Sequence, residues 1–177
     1  MSDKALLLGI NDYAHVSDLR GCENDVRNLA SLLEGTFGFQ SRNMIYVLTP
    51  FELQSYTQSR WIAPPANMLN LVLVNAIEAT HYFKAVASPP FMAKTQYQLN
   101  SYLVAMDQSF MRPTSRVNLV LSVTLVNSQT SEVLAAKTFV SNVDAPGNNA
   151  YSGVIAANQA ASDVAKEVAR FVVQAVG

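Results

Sequence analysis

A double proline, Pro64-Pro65, stands between a β-like run and a helical apolar stripe. Proline cannot continue a ladder, but its fixed φ and missing N–H suit the first turn of a helix. Beyond it, Leu69, Leu73, Ala76 and Ile77 recur at helical spacing, with Met68 and Val72 beside them. The stretch Tyr56 to Thr80 therefore predicts a strand, a sharp corner and a buried helix. Trp61, the single tryptophan of the chain, falls at the corner, next to Arg60.

The residues beyond that helix predict a sheet to cover it. Tyr97 to Asp107 has β composition, with Leu99, Leu103 and Ala105 expected on one side and Tyr102, Val104 and Met106 on the other. Arg116 to Val126 alternates more cleanly, Val117, Leu119, Leu121, Val123 and Leu125 facing one way. Asn127 to Ser131 is a turn and Glu132 to Val143 the return strand of an antiparallel hairpin. A long helix over about Ser152 to Ala175 carries a stripe of Ala157, Ala160, Ala161, Val164, Val168, Phe171, Val172 and Ala175. Two helices on one face of a mostly antiparallel sheet make an α+β architecture.

The first part of the chain differs. Ten of the chain's charged side chains lie in residues 1–42 and fifteen in the remaining 135, so charge density falls about twofold. Residues 5–10 predict a buried strand, Glu23 to Thr36 a helix and Asn43 to Thr49 a second strand, together an N-terminal βαβ unit.

Composition excludes several function classes. A net charge of −1 argues against nucleic-acid binding. A single cysteine, Cys22, leaves no intrachain disulfide. With only His15 and His81 besides, neither a metal site nor a cofactor is expected. Residues 1–10 do not read as a secretory signal, and no apolar run reaches the ~20 residues of a membrane span. The chain as written is expected to stay where it is made. Cys22 reads as a small buried hydrophobe, His81 as a partner of a helix C-terminus, and Asp107 as one half of a surface pair with Arg112 or Arg116. Met68, Met92, Met106 and Met111 read as core filler, with a lipid-accepting groove as the alternative.

Two stretches resemble known families. KALLLGINDY, then DLRGCENDVRNLASLL, then GTFGF, resembles the opening of the caspase-like fold, nearest the metacaspase branch, over about residues 3–49. That resemblance implies that Cys22 and Asp25 help line a pocket for a basic substrate side chain. The catalytic pair of that family is not matched: Tyr82 rather than glycine follows His81, and no cysteine follows Cys22. A thiolate activated by histidine has no candidate here, and no enzyme is expected.

From about residue 44 onward the chain resembles the ABC-type transport auxiliary lipoproteins, the paraquat-inducible intermembrane-transport type. The carriers are FELQSY, the RW-x-APPA-x-ML corner, FKAV, YQLNSYLVAMDQSF, RVNLVLSVTLVNSQTSEVLAAKTF and AYSGVIAANQAASDVAKEVARF. The division implied is a caspase-like fragment over 1–49 and a transport-auxiliary domain over 50–177. The function implied is a non-catalytic component of a mammalian-cell-entry type lipid transporter. Its partner would be the transporter's periplasmic subunit, with lipid as a ligand and a periplasmic, outer-membrane-associated location. Arg60 and Trp61 are the candidate partner surface, weighed against Trp61 as core. A caspase-like peptidase fragment and a recombined or engineered fusion are the rival readings, and a homo-oligomer stays open.

Overall fold

The computed structural model describes residues 42–88 and 95–177. The strand expected over 5–10, the helix over Glu23 to Thr36 and the βαβ unit they would build lie outside the described residues, as do His15, Cys22, Asp25 and Met92.

Among the described residues five strands form one sheet: β1 (Asn43–Val47), β2 (Leu53–Arg60), β3 (Tyr97–Ser109), β4 (Arg116–Asn127) and β5 (Val133–Asp144). The order is β2-β1-β3-β4-β5, antiparallel at every pair except β1 with β3. Two helices of the described residues, α1 (Pro65–Glu78) and α2 (Ala150–Val176), cover one face. The class is α+β, as the pattern of elements predicts.

Local chemistry explains the boundaries. Pro65 opens α1 at its first position. Asn149 caps α2, its side-chain oxygen accepting from the Ser152 N–H at 2.9 Å. Between β4 and β5 the Asn127 side chain accepts from the N–H groups of Gln129 and Thr130, an Asx turn, and Ser131 takes a positive φ of 59°.

The centre of the core is β4. Val117, Leu119, Leu121, Val123 and Leu125 all point under the helices and are buried. The last four meet Leu69 and Leu73 of α1, Phe139 of β5, and Ala160, Val164, Val168 and Val172 of α2, while Val117 packs with Ala145, Ala156 and Ala157. The buried stripe of α2 is wider than its large apolar residues suggest. It includes Ser152, Gly153, Ala156, Ala165 and Ala169, small side chains that let a helix lie close to its neighbours.

One expectation on β3 is corrected. A bulge between Leu103 and Ala105 inserts an extra residue, so alternation restarts out of phase. Leu103 opposes Leu121 and Met106 opposes Leu119, which puts Met106, not Ala105, on the helix-covered face with Leu103. A one-residue slip exchanges the faces of everything beyond it. Gln108 is thereby turned inward as well, opposite Val117.

Candidate functional site

Where the N-terminal end of α2 crosses β1, β3 and β4, a small depression is lined by Met44, Trp61, Met106, Gln108, Val117 and Gly153, among others. Its polar floor is Gln108, only 3% exposed. The Gln108 amide donates to the Ser115 Oγ at 2.8 Å and to the Asn149 carbonyl at 3.2 Å. Its oxygen accepts from the Tyr56 hydroxyl at 3.0 Å. Ser115, fully buried, donates from its hydroxyl to the Gly147 carbonyl at 3.0 Å and from its N–H to the Asn148 side chain at 2.8 Å. Asn148 in turn donates to the Pro113 carbonyl. Each polar atom named is satisfied, which lets the group be buried without a desolvation penalty left standing. The network ties β2, β3, the β3–β4 loop and the start of α2 into one joint.

Gly153 makes that joint possible. A Cβ there would lie 2.1 Å from the Gln108 Oε1, inside any permitted contact. The glycine is present because another side chain occupies its space, at some cost in helix propensity. A glycine one turn into a long helix is the signal in the sequence that marks this point. Gln108 and Tyr56 carry none, because polar residues in a strand read as its solvent face, and Ser115 reads as an ordinary loop residue.

Trp61 is half-buried. Its backbone N–H donates to the Arg42 carbonyl at 2.7 Å, and its ring packs on the cluster of Val117, Ala145, Ala156 and Ala157. Arg60 beside it is exposed. The corner is thus part core and part surface. Cys22 and Asp25 lie outside the described residues, so the structure does not place them.

The remaining candidates do not converge. Asp107 pairs with neither Arg112 nor Arg116. It accepts from the Asn118 side chain at 3.2 Å, while Arg116 bonds Asp144 at 2.6 Å. The reason is register: Asp107 stands opposite Asn118, and Arg116 opposite Asp144. Burial pushes the Asp107 carboxyl above its ordinary range, the Asn118 bond opposing. The Arg116 bond and charge hold Asp144 below that range. Burial, and secondarily Tyr46, pushes the Tyr56 hydroxyl up. His81 is exposed, and its N–H bonds the Glu78 carbonyl at the end of α1. Met106 lies between the two core clusters while Met111 is exposed at a loop, so these two methionines do not share a groove. Among the described residues no three His, Cys, Asp or Glu side chains gather as metal ligands, and no helix is long and apolar enough to cross a membrane.

Comparison with known proteins adds the family. A model described as the ABC-type transport auxiliary lipoprotein component matches residues 39–169. A second, the caspase domain, matches residues 2–72. Metacaspase-1 of Botryotinia fuckeliana and of Sclerotinia sclerotiorum are each 50% identical over 42 residues, 24% of this chain and 10% of theirs. The chain spans about a tenth of the length of these curated relatives. A solved Xanthomonas campestris protein of the DUF330 family shares the fold at a TM-score of 0.70, with 23% identity over 76% of each chain. A second solved protein, described as uncharacterised, shares it at 0.65, with 15% identity over 75% of this chain and 82% of its own.

Proposed function

The chain belongs to the ABC-type transport auxiliary lipoprotein component family, and from that premise we propose that it serves, without catalysis, as an auxiliary subunit of a mammalian-cell-entry type lipid transporter in the periplasm. The observation that carries this reading is the family match, which spans the whole described sheet and the first 20 of the 27 residues of α2. The fold is consistent with it. The Gln108 joint is a packed support, and the corner above it presents the edge of Trp61 and an exposed Arg60 on a rigid base. Trp and Arg are the side chains most often found as anchors of protein interfaces. The partner is the transporter's periplasmic substrate-binding subunit, met through this corner.

The test is a pull-down with that subunit, using Arg60→Ala and Trp61→Ala beside the wild type. Arg60→Ala is expected to leave stability within about 0.5 kcal/mol, as surface changes do, and to weaken capture several-fold. Trp61→Ala removes a half-buried ring and is expected to lower stability by about 2 kcal/mol in a urea titration, short of the roughly 3–5 kcal/mol of a full core truncation. Capture of the Arg60→Ala protein at wild-type strength would remove the corner from the interface. No capture of wild type would remove the partner.

A further inference from the structure

Three separate turns meet at the end of the sheet that carries the start of α2. The β1–β2 turn offers Leu48 and Phe51, the β3–β4 loop Met111, and the first turn of α2 Tyr151. They share an end because the Phe110 N–H bonds the Val47 carbonyl, and Asn148 bonds the Pro113 carbonyl. All four are exposed, at 48%, 87%, 55% and 75%. Ile155, exposed too, lies one helical turn beyond Tyr151.

Phe51 is the informative member. It holds φ at 68°, a region bulky side chains avoid. Glycine would fit there without strain, yet the position carries a large ring turned to solvent. Backbone strain of this kind clusters at sites of contact and ligand clamping.

The geometry points to docking of this end on a lipid surface. The tips rise from different turns instead of lining a groove, so a folded partner would need a matched pocket for each, whereas an acyl layer receives each independently. The charge also fits. Residues 48–51, 110–114 and 145–151 contain one cation, Arg112, and no acid. Of the two adjoining carboxylates, Glu52 is held within its hairpin by Thr49 and Gln54, and Asp144 is paired with Arg116. Tyr151 and Arg112 are of the amphipathic kind that settles at headgroup level while Phe, Leu and Met tips go deeper. The inference is independent of the transport reading and of the Arg60–Trp61 corner.

Co-sedimentation of the full chain with vesicles of equal parts phosphatidylcholine and phosphatidylglycerol tests it. The wild type is expected to partition onto them. Phe51→Gly with Met111→Ser is expected to lose at least about tenfold in partitioning, since each buried apolar side chain contributes on that scale. Its melting temperature should hold or rise, because glycine relieves the strained turn. Leu71→Ser, at an exposed position on α1, should partition like the wild type. Wild-type protein that stays in the supernatant would overturn the inference, as would a double variant that binds unchanged. A lipid-free dimer that the double variant converts to monomer would assign these tips to a contact between two copies instead.

Discussion

Gly153 and Gln108 occupy one space that only one of them can fill. Replacing glycine by alanine inside a helix ordinarily gains up to about 1 kcal/mol. Here the added methyl meets the Gln108 amide, and Gly153→Ala is expected to cost about 1–3 kcal/mol, the range for overpacking. On a Gln108→Ala background the same change should be neutral or favourable. A double-mutant cycle by urea denaturation reads the difference. Asp107 makes a second prediction, about pH. Burial raises its folded-state pKa above the unfolded value. Its contribution to stability is therefore present below the ordinary carboxylate range and lost as pH rises through the folded-state value. Asp107→Asn should raise the melting temperature at neutral pH, and the gain should shrink to nothing in acid. Thermal melts of both proteins across that range check the sign.

At the level of elements, β5 is a long strand that stands at the edge of the sheet among the described residues. Such edges invite pairing with another chain unless something blunts them. Lys137 lies on the helix-facing side of β5, opposite Val123, its Nζ 5.0 Å from the Phe139 ring centroid. Lys137 is exposed, and an added strand would have to bury or displace its charge at this edge. Lys137→Val is expected to leave the monomer folded and to increase concentration-dependent association, visible by light scattering. Much of this layer was legible in the sequence. The alternation of β4 and the stripes of α1 and α2 named their own buried faces, because each faces one core with a regular period. The β3 bulge was not legible, since Val104 is as apolar as its neighbours and nothing local marks it as extra. The buried joint was hidden for a related reason: Gln108 faces inward only because of that bulge.

Across the molecule, the two apolar clusters are continuous. Met106 and Val143 pack against both. Trp61 reports on the smaller cluster and the backbone signal on the larger, so tryptophan fluorescence and far-ultraviolet circular dichroism should follow a single coincident unfolding transition. Two separated midpoints would mean that the clusters melt apart. The placement of β1 bears on how this state is reached. It is hydrogen-bonded on both sides, to β2 early in the chain and to β3 only after α1 has intervened. A chain emerging from the ribosome can close the β1–β2 hairpin almost at once, but among the described residues that hairpin has no further strand to join until residue 109 is made. The face it and β4 present stays bare until α2 is complete. For that interval the nascent chain carries an unpaired edge and an open apolar surface together, the combination on which chaperones act.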